Sequence, residues 1–307
     1  MFKYIFYRLI FIFITLFFII LVNFIILNSQ KIGAYEVAVI NLENNVSGAK
    51  IDSKTINELK QYFNLQENIV IRFLKLYKNY LTFNLGNSYY SNNSIIEIIK
   101  SKMSVSIPFG FFSTLLIYII SIFFGVIKAL KNKSSFDKIS TILLVVLYVL
   151  PPIVIGSILI LFFTDSMFWA VLTNVCGGLL FITLLSKNTF LTETQKSYYL
   201  FAEYKGLSKF QLFKNHVFKN FLLVIFADIS SIFLGVLFGG SLFIEILFGL
   251  DGIGLLSYDS IINKDYPIIL GSIYLLSFLG LFLRLLNDII IMKIDKRVKM
   301  YPIGSKV

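Results

Sequence analysis

The residues whose types and spacing carry chemical meaning here are few and far apart. In the stretch 187–219, Ala202 and Gly206 are small residues four apart. Leu207, Phe210 and Phe213 repeat at three-residue spacing, with Lys205 and Lys209 beside them. Small residues at i and i+4 share a helix face and admit close approach of another backbone. Apolar groups on a polar loop need cover from a membrane or a partner. The pattern suits docking, or an amphipathic helix lying on a bilayer surface, rather than bond chemistry. Asp228 stands alone in an apolar run, a candidate for a solute pathway or for an ion pair with a lysine such as Lys219. Pro151 and Pro152 interrupt another apolar run, where proline kinks a helix as a structural bend or as a hinge. Gly252-x-Gly254 lacks the third glycine of a nucleotide loop and reads as a turn. The single histidine, His216, has no carboxylate or serine partner at useful spacing, so catalysis is not expected of it. One Cys and one His exclude an internal disulfide and a Cys- or His-rich metal centre. The chain has no Gly-Lys pair, hence no G-x-x-x-x-G-K-[ST] cradle for ATP phosphates.

The elements that position these residues follow from composition. Of 307 residues, 57% are hydrophobic and only 15% charged, against about 25% charged in an average soluble domain. A soluble enzyme, a disordered regulator and a secreted disulfide scaffold are thereby disfavoured. Six runs reach the roughly 20 apolar residues that span a bilayer: 4–27, 105–127, 139–163, 167–185, 221–238 and 268–292. The fourth is less apolar and carries Asn174. The first run is long enough to span and no small-x-small site follows Leu27, which predicts an uncleaved helix rather than a signal peptide. With the N-terminus in the cytoplasm, segments 1–8, 128–138, 187–219 and 293–307 hold seventeen Lys and Arg against four acidic residues. The short opposite segments, 164–166 and 239–267, hold only Lys264 among five carboxylates. This is the positive-inside pattern, and it accounts for the net charge of +11 without nucleic acid. Both termini are therefore expected to be cytoplasmic. The loop 28–104 is too long to vote. Val70, Phe73, Leu74, Tyr77 and Leu81 predict a helix in it, and Ser53 is a plausible N-cap for an earlier one. That loop reads as an outward helical cap. Arg284 and Asp288, four apart, are expected to pair.

The run from Ser197 to Ser208, followed by His216-Val217-Phe218-Lys219-Asn220, resembles the EAA loop of ABC importer permeases. It is most similar to the B-type transmembrane subunit of the oligopeptide, dipeptide and nickel group. Ala202 matches the last alanine of that motif and Gly206 its glycine. Tyr4-Ile5-Phe6-Tyr7-Arg8-Leu9 resembles the group's Y-x-x-x-R-L opening, and Phe83 to Ser88 its D-L-G-x-S element. Gly240-Ser241, Glu245, Phe248, Gly252-Ile253-Gly254 and Asp265-Tyr266-Pro267 resemble its G-S-x-x-x-E-x-x-F-x-x-P-G-x-G…D-Y-P element. Asp288 and Asp295-Lys296-Arg297 resemble its closing D…D-P-R. The departures are Leu200 and Phe201 in place of Glu-Ala, Val224, Asp251 and Lys296 where prolines are usual, and Asn28-Ser29 in place of Pro-Gly-Asp.

The resemblance implies an all-α polytopic membrane protein with six transmembrane helices and the type I importer permease (MetI-like) architecture. Residues 1–104 would be the first helix and external cap, 105–292 the permease core with its loop at 197–220, and 293–307 a cytoplasmic tail. It implies an ATP-driven importer of oligopeptides or dipeptides in the bacterial inner membrane, with no ATPase site and no cofactor in this chain. ATP would be hydrolysed by two cytosolic subunits docked on Ala202, Lys205, Gly206, Leu207 and Phe210. A C-type permease would complete the pore, with Pro151, Pro152 and Asp228 at the pathway or its hinge. An extracytoplasmic binding protein would meet the side carrying Glu245, Gly252, Gly254 and Asp265. Peptide length, or nickel as the solute, is not set by these residues. An ion-coupled secondary transporter would require more intramembrane acids and internal repeats, and neither is clear. A non-transporting scaffold would keep the docking loop.

Overall fold

An apolar segment of about 20 residues that must satisfy its backbone within itself forms a helix, and the computed structural model is helical almost throughout its described residues. It describes residues 2–29, 68–89, 91, 93–163, 166–237 and 241–294. Ser53, Asp165 and the Asp295-Lys296-Arg297 motif lie outside the described residues, as do the side chains of Phe210 and His216. The helices are α1 (Phe2–Ser29), α2 (Ile69–Leu81), α3 (Ile95–Leu130), α4 (Ser135–Val149), α5 (Pro152–Phe162), α6 (Met167–Thr194), α7 (Ser197–Tyr204), α8 (Phe218–Phe226), α9 (Ile229–Gly235), α10 (Ser241–Leu247), α11 (Ile253–Ile262) and α12 (Tyr266–Ile294). A helical turn, Lys209–Leu212, and a π-helical turn, Phe213–Val217, join α7 to α8. Five stretches are long and apolar enough to cross a membrane, and six when α4 and α5 count as one broken span. These are the six runs expected from hydropathy.

The expected kink at Pro151-Pro152 is a full break. The axes of α4 and α5 differ by 92°. Each proline pushes its predecessor out of the α region, so two in sequence extend both Leu150 (ψ 124°) and Pro151 (ψ 137°). Pro152 then starts α5 at the position where its missing N–H is harmless. A second break falls at Ala227–Asp228, without proline or glycine. Asn287 of α12 donates to the freed carbonyl of Ala227 at 2.5 Å. Asp228 is thus not inside a helix. It is the exposed residue before α9 and makes no side-chain cap bond.

The chain divides into two compact units. One comprises residues 1–5, 103–255 and 282–307. Its core centres on Phe109, Ile117, Val175, Ile182, Phe221 and Ile225, with α6 packed against α4, α5 and α8. Lys128, wholly buried, forms an ion pair with Asp137 at 3.2 Å, and Lys187 meets the same carboxylate at 2.6 Å. Tyr4 donates to Asp288 at 2.8 Å, joining the opening motif to the closing one. The expected Arg284–Asp288 pair does not form among the described residues, where Arg284 is exposed.

The other unit comprises residues 6–102 and 256–281. Here α2, capped by Asn68, confirms the periodicity read from Val70 to Leu81. Phe73 packs edge-on to Phe17 and Phe24 of α1. Tyr80 meets Tyr274 at 4.9 Å. Ser88 donates to Asp265 at 2.5 Å and the Tyr89 N–H reaches the same carboxylate at 3.4 Å. Two motifs 177 residues apart are therefore one contact. Replacing Ser88 by Ala should destabilise the purified protein by about 1–3 kcal/mol, since it strands a buried carboxylate oxygen. A double-mutant cycle with Asp265→Asn in detergent thermal melts should return a coupling of about 0.5–3 kcal/mol; additive losses would show that the pair is not coupled.

Candidate functional site

The loop 197–220 begins where α6 ends. Glu193, buried near the end of α6, accepts hydrogen bonds from Lys196 and from the Tyr198 hydroxyl. Asn220 of α8 in turn donates to that hydroxyl at 3.3 Å. Through Tyr198, α7 is tied to both α6 and α8. Ala202 is buried against this chain's own core, as are Leu212 and Val217 further along. Phe213 sits between Phe190 and Phe221, with ring centroids at 5.9 and 6.5 Å.

The small-residue face expected of Ala202 and Gly206 does not exist. α7 stops at Tyr204, and Gly206 follows it in the left-handed region, with φ +82°. Its N–H bonds to the Glu203 carbonyl at 2.9 Å, closing the last turn. Glycine is favoured there for its backbone, as a helix terminator. A Cβ at Gly206 would meet nothing within 4 Å. Likewise the apolar stripe is not the outer surface: Phe213 points into the core and Leu207 is half-buried. The large apolar and aromatic side chains that α7 exposes are Leu200, Phe201 (63% exposed) and Tyr204 (89% exposed), alongside Ser197 and Glu203. Lys205 lies 4.6 Å from the Phe201 ring centroid. Leu200 and Phe201 are the residues that replace Glu-Ala in the motif. The signal that would have found them is the helix register that buries Ala202 and half-buries Tyr198 and Tyr199.

The segment 241–262 holds a second construction. Glu245 is wholly buried. It accepts from Ser106 at 2.6 Å and from the N–H groups of Gly254 and Leu255 at 2.7 and 3.1 Å. Ser106 also accepts from the Ile253 N–H at 2.8 Å. A serine on α3 and a carboxylate on α10 together satisfy the free amides that start α11. Burial pushes the Glu245 carboxyl above its usual range, and the three donors oppose that rise. A Cβ on Gly252 would lie 2.4 Å from both the carboxylate and the Ser106 oxygen, and one on Gly254 2.7 Å from the Leu242 backbone. The E…G-x-G spacing is the footprint of this clip. Glu245 and Asp265, expected on an outward docking side or in a solvated loop, are both buried structural acceptors. Asp251, near Glu245 in the chain, is exposed.

The structure thus has membrane-length helices with clipped breaks and, in its larger unit, a short helix, tethered to α6 and α8, that exposes aromatic side chains. Comparison with known proteins defines the class further. Residues 121–300 match the family model of the inner membrane component of binding-protein-dependent transport systems. The chain is 32% identical over 293 residues to the Escherichia coli O157:H7 inner membrane ABC transporter permease protein YejB, covering 85% of this chain and 80% of that one. It is 33% identical over 279 residues to the Agrobacterium fabrum peptidoglycan transport system permease protein YejB, covering 81% and 77%. With the Staphylococcus aureus nickel import system permease protein NikB it shares 26% over 262 residues, covering 82% and 80%.

The chain is a multi-pass permease subunit of an ABC importer. It belongs to the family of inner-membrane components of binding-protein-dependent transport systems, in the oligopeptide, dipeptide and nickel group. Such a subunit works in a membrane with separate ATPase and substrate-binding components. Because the Gly252 Cβ has no room beside the carboxylate, Gly252→Ala should cost about 1–3 kcal/mol, read as a lowered melting temperature in detergent. A variant as stable as the parent would mean that the clip yields freely.

Proposed function

We propose that this subunit imports oligopeptides or dipeptides, with both termini cytoplasmic and the 197–220 loop docked on a cytosolic ATPase subunit. The supporting observation is α7. Large apolar side chains exposed on a helix that its own chain holds at two points are what a partner groove requires. Seventeen basic residues on the proposed inner segments favour this orientation. On this reading Leu200, Phe201 and Tyr204 enter the partner's groove, Lys205 lies at its rim, and Gly206 turns the chain away. ATP binds and is hydrolysed in the partner subunits, two of them serving this chain and a C-type companion permease. Displacement of α7 passes through Tyr198 to α6 and α8, and ATP shifts the population between inward and outward access. The binding protein approaches the opposite side, where Asp251, Asp259 and Lys264 are exposed.

The direct experiment is gentle purification from the native membrane with identification of the co-purifying chains. P-loop ATPases and a second permease are expected. Tyr204→Asp should release the ATPases and leave the companion permease bound. Retention of ATPases at the parental level by Tyr204→Asp would remove α7 from the interface. Gly206 supplies an independent check. Asn tolerates the left-handed region and Val does not. Gly206→Asn should therefore keep most ATP-driven uptake while Gly206→Val loses most of it; equal losses would mean that size, not backbone conformation, matters at this position.

A further inference from the structure

In the larger unit a cationic turn adjoins an apolar groove. The turn 131–134 joins two membrane-spanning segments, so it lies at a bilayer surface. Asp137 is the only acidic residue from 98 to 164, and Lys128 and Lys187 both pair with it. Two lysines against one carboxylate leave this cluster one positive charge in excess. Lys131, Lys133 and Lys138 are exposed and form no ion pair among the described residues. Beside the turn, α3, α4 and α6 enclose a groove of about 410 Å³, within the about 300–1,000 Å³ range of small-molecule sites. Phe136, Ile139 and Leu143 form one stripe of α4, opposite Ile120 and Phe124 of α3 and Leu179 of α6. Ile139 and Leu143 are exposed, so the groove opens outward. Its only polar lining among the described residues is the hydroxyls of Ser140 and Thr183. Charge gathers at the end where α4 starts. Lys131 Nζ stands 5.0 Å from the Phe136 ring centroid, and Ser140 accepts from the covered Lys128 at 2.7 Å.

We propose that this groove holds an anionic phospholipid, with an acyl chain lying along α4 and the headgroup phosphate at Lys131. The apolar stripe from Phe136 to Leu147 runs about 16 Å along the helix, a length that suits hydrocarbon rather than a compact solute. Uncompensated lysines at one end of such a groove select a net negative headgroup. A zwitterionic lipid brings its own cation and leaves the excess charge of the Lys128–Asp137–Lys187 cluster unbalanced. Neither the solute nor the orientation of the subunit enters; the site needs only a bilayer.

The test uses the complex purified from its native membrane and reconstituted in phosphatidylcholine liposomes. These carry a trace of phosphatidylglycerol with a photoactivatable diazirine on its acyl chain, or the same probe built on phosphatidylcholine. After illumination, adducts are mapped by peptide mass spectrometry. Phosphatidylglycerol adducts should concentrate on α4 between Phe136 and Leu147 and exceed those of phosphatidylcholine there. Lys131→Ala should lower them ~5-fold, the worth of one lysine beside an anionic headgroup. Lys293→Ala, at an exposed lysine in the last turn of α12, should leave them at the parental level. Leu143→Trp, at an exposed position, fills the groove and should lower adducts of both probes. Equal labelling by the two probes would mean ordinary surrounding lipid and would overturn the proposal. So would an unlabelled α4, which would mean that a companion chain covers the groove. Equal losses from Lys131→Ala and Lys293→Ala would overturn it in favour of diffuse surface charge, and undiminished adducts in Leu143→Trp would place the acyl chain outside the groove.

Discussion

Every helix break in an apolar setting leaves amides and carbonyls that hydrocarbon cannot satisfy, and the architecture of this permease follows from how each break is answered. At Leu150–Pro151 the prolines themselves remove N–H groups, and the chain turns through 92°. At Ala227 the amide of Asn287 takes the freed carbonyl. At the start of α11 two partners are needed, Ser106 and Glu245, and both are wholly buried. Removing the Glu245 carboxylate would strand two amides and the Ser106 hydroxyl at once. The clip ties the start of α11 to α3 and α10, while α10 also packs on α5 and α6.

The same logic explains why family motifs so distant in sequence occur together. Tyr4 with Asp288, Ser88 with Asp265, and Ser106 with Glu245 are each one hydrogen bond written in two places. The six apolar runs were legible because hydropathy needs no partner to be read. So was the α2 periodicity, and so were the motif residues as a set. Their roles were not. An acidic residue in a short loop looks like surface until the segment that buries it is known, so in the sequence Glu245 and Asp265 look like outward docking or solvated loop charges. Gly206 looked like a helix-face residue because spacing cannot reveal where a helix stops. Only its positive φ shows that α7 has ended. The exposed aromatics of α7 were hidden for a related reason, since the register depends on Ala202 facing inward.

The tether at Tyr198 gives the proposed coupling a route. A docking helix on a slack loop would dissipate its partner's motion. Here the Tyr198 hydroxyl bridges the Glu193 carboxylate of α6 and the Asn220 amide of α8, while Phe213 wedges between aromatic rings of the same two helices. Both helices flank core residues shared with α3. A displacement of α7 is thereby borne by packed side chains, which have discrete arrangements rather than continuous ones.

Satisfaction of polar groups also marks the buried carboxylates as scaffold. Glu245, Asp265, Asp137 and Glu193 carry charge that would mark them as functional in an apolar protein, yet each has its donors within the chain. They make the frame rigid and leave little for a solute to bind.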